Sequence, residues 1–353
     1  MLTSRKKRSK LSGQYEIIEA LKNPNTYETK PKKIDLIQTH ISFIFLADRF
    51  AYKIKKAVEF GFLDFTTLEK RRKFCEKELE INKKLAKDMY LEVVPINKLD
   101  EIKIKGKGKT VEYAVKMKNI SQKKLMNKLL EKNKITKEII DQISRIISDF
   151  HSRIEYNSNV GDFNYQVKLD PIVEINWKEN FEQTKTFIDK TISSEKFSLI
   201  RKSIENFIKN NEDLFRNRMK NRKVRFCHGD IHSGNIFITK KIYIFDAIEF
   251  NDRIRYSDVI SDIGFLAMDL EFRNKPKLAQ YLIEKYIEYS KDVKLKKLLP
   301  FYKCYRAYVR GKVASLKLND KNIDKKEIIK ARKEAQSYFD LAVKYTLDFS
   351  KNF

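Results

Sequence analysis

Residues 226–250 read FCHGDIHSGNIFITKKIYIFDAIEF, and this stretch decides the fold. Asp230 is followed five positions later by Asn235. Two β-branched and aromatic runs, 236–239 and 242–245, flank Lys240-Lys241 and deliver Asp246. Such runs around a two-residue turn predict a hairpin. A loop carboxylate, a nearby amide and a second carboxylate at a hairpin's end can hold a hydroxyl and two metal ions around a nucleotide. His228, Asp230 and Asn235 stand in the H-x-D-x-x-x-x-N spacing of phosphoryl-transfer loops, with the metal-binding Asp downstream. Gly229 and Gly234 permit the turns that a compact loop demands.

Phosphoryl transfer needs an aligned attacking oxygen, a late acceptor for its proton and neutralised phosphate charge. Asp230 is the candidate proton acceptor. Asn235 and Asp246 are the candidate Mg²⁺ ligands, with Asp246 bridging metal to phosphates. A cation must also meet the phosphates. Lys53 lies mid-strand between apolar neighbours in FAYKI, where an ammonium is unexplained unless paired, with Lys55 on the same face. Its expected partner is Glu78, ahead of Glu76. The hairpin around Ala47-Asp48-Arg49 has no glycine, so phosphate-wrapping amides are not advertised there. Residues 115–119, around Met117, form the expected junction between lobes, where backbone groups would bind adenine.

His228 and His232 also fit a metal-dependent hydrolase, since H-x-D-x-H resembles a ligand cluster. Only His40 and His151 remain elsewhere, and the two glycines disfavour a helix presenting both rings. In the phosphoryl-transfer reading His228 holds the loop and His232 lines the site. A noncatalytic nucleotide-binding regulator on the same fold is the other alternative.

Working outward, strand signals at 41–46, 50–54, 91–96, 101–105 and 111–117 surround a helix expected over 67–85. A short helix near 15–21 precedes them. After Met117 helices dominate, at 137–150, 177–189, 195–208, 258–270, 277–289, 295–316 and 326–348. The hairpin at 240–241 is the only β signal in that half. The expectation is an α+β, bilobal architecture with a small β-rich N-lobe and a large α-helical C-lobe. Its boundaries are a basic N-terminal extension over 1–34, an N-lobe over 35–118 and a C-lobe over 119–353.

The chain has 353 residues, more than the ~100–200 of a usual single core, which also favours two lobes. No apolar run approaches the roughly 18–20 residues that span a bilayer, so no membrane partner is expected and the location is cytoplasmic. Three widely spaced cysteines form no disulfide or metal pattern. The net charge is +27, but lysine is spread along the chain rather than gathered on an arm. No dedicated nucleic-acid partner is therefore expected. From Asp246 to Glu271 seven acids face only Arg253 and Arg255, a local charge of −5 that suits Mg²⁺ and a cationic substrate group.

With these motifs in hand, HGDIHSGN followed by IFDAIEF resembles the aminoglycoside phosphotransferase-like family, within the protein-kinase-like superfamily. The stretches HISFIFLADRFAYKIKKAVEFGFLDFTTLEKRRKFCEKELEINKKL and RYSDVISDIGFLAMDLEF are similar to its bacterial and archaeal subgroup. The resemblance runs from about His40 to Arg310. It implies a protein-kinase-like fold that uses ATP or GTP and Mg²⁺ to phosphorylate a hydroxyl of an unidentified acceptor. By resemblance Asp230 is the base, Asn235 and Asp246 bind Mg²⁺, Lys53 pairs with Glu78, and Asp262 supports the loop. Segments 177–184 and 302–310 are expected to line or brace the acceptor side.

Overall fold

The structure, a computed structural model, describes residues 14–60, 63–155, 171–320 and 323–350; the first part of the basic extension, 1–13, lies outside the described residues. By its contacts the chain forms two compact units. One takes residues up to Leu129 together with Gly234–Asp252, and the other takes Leu130–Ser233 with Arg253 onward.

The first unit is built on an antiparallel sheet of six strands in the order β1-β2-β3-β6-β4-β5. They are β1 (Ile34–Gln38), β2 (Ser42–Ala47), β3 (Phe50–Lys55), β4 (Tyr90–Lys98), β5 (Ile102–Ile104) and β6 (Lys109–Lys118). Side chains alternate across a strand, so β3 serves two layers. Tyr52 and Ile54 pack with Phe43, Phe45, Val94 and Ile96, a cluster closed by Ile17 and Leu21 of the helical segment α1 (residues 14–20) and its end. On the other face Ala51 packs with Cys75 and Ala86 of α2 (Leu68–Ala86), and with Tyr90, Val115 and Met117. Lys53 and Lys55 share that second face. Helix α2 starts where Thr67 Oγ1 accepts the Lys70 amide as an N-cap. The hairpin β8 (Ile236–Ile238) and β9 (Ile242–Ile244) pairs Ile238 with Ile242, and Phe237 joins the second cluster.

Strand β1 was not expected from the sequence, and it adds a second turn beside β2. The turn at Asp48-Arg49 closes β2–β3 at Ala47 and Phe50. There Asn119 N donates to Arg49 O (2.9 Å), and Asp48 accepts from the Lys32 and Lys33 amides. Residues 39–41 join β1 to β2 at the opposite end, the Lys55 end, where Ser42 faces Lys55 and Lys56 N donates to Ile41 O. The six-stranded sheet thus has two turns beside β2, at 39–41 and at 48–49, and they lie at its opposite ends.

The second unit is helical: α4 (Lys137–Arg153), α5 (Pro171–Thr184), α6 (Ser194–Asn210), α7 (Glu212–Lys220), α9 (Ile260–Phe272), α10 (Pro276–Ser290), α11 (Leu299–Leu316) and α12 (Lys325–Ser350). Short helices α3 (Met126–Glu131) and α8 (Asp252–Arg255) complete the set among the described residues. The expected 295–316 helix is interrupted before Leu299, with Pro300 accommodated in the first turn of α11. A second correction concerns 258–270. Tyr256–Asp258 is a strand, β10, paired with β7 (Val224–Phe226), and α9 begins only at Ile260. Three residues per strand left too little alternation to read. Helix α9 is buried from Ile260 to Leu270, which makes it the central post of this unit.

Candidate active site

In the first unit, Lys53 and Lys55 point from one face of β3 toward Glu78 on α2. Glu78 Oε1 lies 2.8 Å from Lys53 Nζ and Oε2 lies 2.8 Å from Lys55 Nζ. Each lysine has a second carboxylate, Asp246 for Lys53 and Glu249 for Lys55. Five charges thus alternate in a chain: Asp246, Lys53, Glu78, Lys55, Glu249. The Glu78 side chain has no exposed surface. Burial alone would push its carboxyl up, but the two ammoniums outweigh that and pull it down to about 2. Burial likewise opposes charge on Lys53, and Asp246 and Glu78 more than restore it. For Glu249 burial prevails over the pull of Lys55, and its carboxyl lies above the ordinary value. Glu76, the second candidate partner, pairs instead with Arg72 on the exposed face of α2.

Asp246 leaves β9 with φ 64°, a left-handed conformation uncommon outside glycine. The Tyr90 hydroxyl receives its N–H at 3.3 Å, and Asn82 Oδ1 receives that of Ala247 at 2.9 Å. Asn235 is buried, and its carbonyl accepts from Phe245 N (3.0 Å). Met117 is buried opposite Ala51 in the sheet.

In the second unit the loop 228–233 is fastened by carboxylates on α9. Asp262 Oδ2 accepts from His228 N (2.8 Å) and Oδ1 from Gly229 N (2.9 Å). At the other end Asp269 accepts from Ser233 N (2.9 Å) and from its hydroxyl. Arg306 of α11 donates to Gly229 O (2.8 Å) and to Ser261 Oγ (3.0 Å), so part of the 302–310 segment braces the loop. Gly229 takes φ 85°, where glycine is the residue without a steric penalty. His228 is buried and its Nδ1 accepts from Asp230 N at 3.2 Å, which assigns the other nitrogen as the protonated one. Asp230 keeps a side chain 34% exposed, with His232 Nε2 3.6 Å from its Oδ2. Burial raises its carboxyl, yet His232, Arg310 and His228 carry the balance well below the usual range. Asp262 shows the same contest: burial raises it, and the His151 hydrogen bond with neighbouring positive charge brings it down.

His228 and His232 therefore do not gather as metal ligands. Among the described residues the one grouping of metal-ligand type is His151, Cys227 and Asp262. There the Asp262 oxygens already accept backbone N–H groups, and Cys227 Sγ donates to Ser257 O.

Every one of the seven carboxylates of the acidic segment has an internal partner: Asp246 with Lys53, Glu249 with Lys55, Asp252 with Lys77, Asp258 with Arg218, Asp262 and Asp269 with the loop, and Glu271 with Lys303. Five of the seven meet cations distant in sequence, Lys53, Lys55, Lys77, Arg218 and Lys303, which a window count cannot see. Sequence reasoning left open whether Lys53 or Lys55 pairs with Glu78, and the structure gives Glu78 to both; it gave Glu249 and Asp269 no holding role of their own.

Fold and loop together define a protein-kinase-like architecture. Solved structures of that kind align over nearly the whole chain. Plasmodium vivax ethanolamine kinase is 13% identical, with TM-score 0.52 over 91% of this chain and 84% of its own. An amicoumacin kinase in complex with AMP-PNP, Ca²⁺ and Ami is 10% identical, with TM-score 0.53 over 95% and 96%. Residues 182–294 match the model of the Phosphotransferase enzyme family, and the resemblance to aminoglycoside phosphotransferase-like proteins holds. An uncharacterized protein of Mycobacterium tuberculosis is 30% identical over 287 residues, 81% of this chain and 55% of that protein. The chain thus spans about half the length of the curated relatives it matches. Among the described residues no helix is long and apolar enough to cross a membrane.

Proposed function

We propose that this protein is a cytoplasmic phosphotransferase that moves the γ-phosphoryl group of ATP or GTP to a hydroxyl of a small-molecule acceptor, with Mg²⁺. The observation that carries the reading is the buried Lys53–Glu78 pair with Asp246 beside it. Burying a lysine carries a desolvation cost that paired carboxylates offset, and a buried, strongly perturbed charge pair is the kind of arrangement that functional sites use.

Lys53, held by Glu78, presents positive charge to the nucleotide phosphates. Asp246 and Asn235 are the residues that would hold the metal. Their carboxylate and amide oxygens are hard donors that fit Mg²⁺, and the Asp246 side chain is 43% exposed and so open to an ion. When bound, the ion would neutralise phosphate charge. Asp230 orients the acceptor hydroxyl and takes its proton. Its depressed basicity suits a proton moved late, after the bond to the leaving group has loosened. Asp262, Asp269 and Arg306 fix the loop so that Asp230 does not wander. ATP, an alcohol acceptor and kinase-like partners follow the same reading, as do Lys53, Glu78 and Met117 as the nucleotide side.

The test is ATP consumption against pooled sugars, amino alcohols and nucleosides, followed by variants on the acceptor found. Asp230→Asn should cut turnover ~10²–10⁴-fold with nucleotide binding intact. Asp246→Ala should lose the Mg²⁺-dependent part of nucleotide affinity; affinity like that of the native chain would sink the metal assignment.

A further inference from the structure

We propose that Lys55 and Glu249 are positioning residues: they keep Glu78 and the backbone of the Asp246 segment in place while Lys53 and Asp246 exchange partners during nucleotide binding. The inference rests on the nucleotide reading above.

The five-charge chain divides by exposure into two halves. The Lys55, Glu78 and Glu249 side chains are 0%, 0% and 4% exposed, whereas Asp246 is 43% exposed. The Phe65 ring covers Lys55 with its centroid 4.9 Å from Nζ. Gln14 Nε2 donates to Lys55 O at 2.9 Å and fixes the end of the strand. Water does not reach this half, so its ion pairs have no solvent to exchange with. The Lys53–Asp246 pair borders solvent and is the one an anion and a cation can enter.

Entry of a phosphate requires Lys53 to turn part of its donor capacity from Asp246 to the ligand. Without Lys55, Glu78 would be a fully buried carboxylate resting on Lys53 alone, and any movement of that ammonium toward a ligand would weaken its one counter-charge. Lys55 supplies a second, permanent cation on Oε2, so Glu78 stays balanced whatever Lys53 does. Likewise, an Asp246 that leaves Lys53 for a cation gives up its side-chain tether. The segment stays in register because Tyr90 and Asn82 hold the 246 and 247 amides and Lys55 holds Glu249. One lysine thus secures both the helix carboxylate and the loop that follows the hairpin. Removing it should weaken metal-dependent binding by loosening groups that never touch the ligand.

The experiment is calorimetric titration of ATP with Mg²⁺ and with excess EDTA, reading the ratio of the two affinities. Lys55→Met alone strands two buried carboxylates and can fail to fold. The informative variants are therefore Glu249→Gln, which keeps shape and an acceptor oxygen, and the charge-balanced pair Lys55→Met with Glu249→Leu. Both should fold by circular dichroism, with the Mg²⁺/EDTA affinity ratio lowered about 10-fold. A purely structural role would lower the melting temperature and leave that ratio as in the native chain, which would overturn the proposal. A native chain whose affinity does not respond to Mg²⁺ would overturn the nucleotide reading as well, so the two failures are told apart by the unmutated protein.

Discussion

The two units hold their functional groups by opposite means. In the first, Lys53 and Asp246 are held by other charges, and an ion pair can be traded for a ligand of the same sign. In the second, the loop bearing Asp230 is held by its own backbone N–H groups on Asp262 and Asp269. Side-chain charge dominates the first arrangement, with the 246 and 247 amides as its main-chain ties, and main-chain N–H groups dominate the second.

Three measurements press on that contrast. The largest effect is expected from Glu78→Ala. It removes the shared carboxylate from two buried ammoniums, and loss of one partner in a buried pair costs about 3–5 kcal/mol. Because each lysine keeps a second carboxylate, urea unfolding should show the lower end of that range. A loss below about 1 kcal/mol would mean the network is slack. Next comes acid. Asp262 has its carboxyl lowered in the fold, so its contribution is complete above the ordinary aspartate value of about 3.9 and is lost as pH falls through the lower folded value. Trp177, the single tryptophan, lies in the second unit, and its fluorescence should hold until below about pH 4. Asp262→Asn should start less stable and show a shallower acid dependence; an unchanged slope would deny Asp262 that role. Glu249 carries the reverse sign: its raised carboxyl makes the first unit lose stability as pH rises through that value. The smallest effect is Glu76→Ala. Its exposed pair with Arg72 should leave the urea midpoint where it is, in contrast to Glu78 two residues on.

Much of this was open to sequence reading, for identifiable reasons. The hairpin before Asp246 announced itself through two β-branched runs, and the helix over 137–150 through the apolar periodicity of its isoleucines. Lys53 stood out because an ammonium between apolar neighbours needs a partner. Other features gave no local signal. Strand β1 interleaves Asp35 and Gln38 with its apolar residues, and its burial comes from β2 rather than from its own pattern. Asp262 and Asp269 lie on a helix apolar on all sides, where periodicity marks no functional face. Resemblance alone pointed to Asp262, and the role of Asp269 is visible only once the loop is seen to dock there. Glu249 counted as one acid in a cluster until a lysine 194 positions away in sequence was seen to neutralise it.

Asp262 and Asp269 are seven residues apart on α9, two turns and ~10.5 Å along its axis. The loop they fasten is therefore cut to the pitch of a helix, like cloth pinned to a ruler. A single residue inserted between them would swing one pin about 100° around the post and leave one end of the loop unfastened. The reach of Asp230 is set by a rod that carries no reacting group of its own.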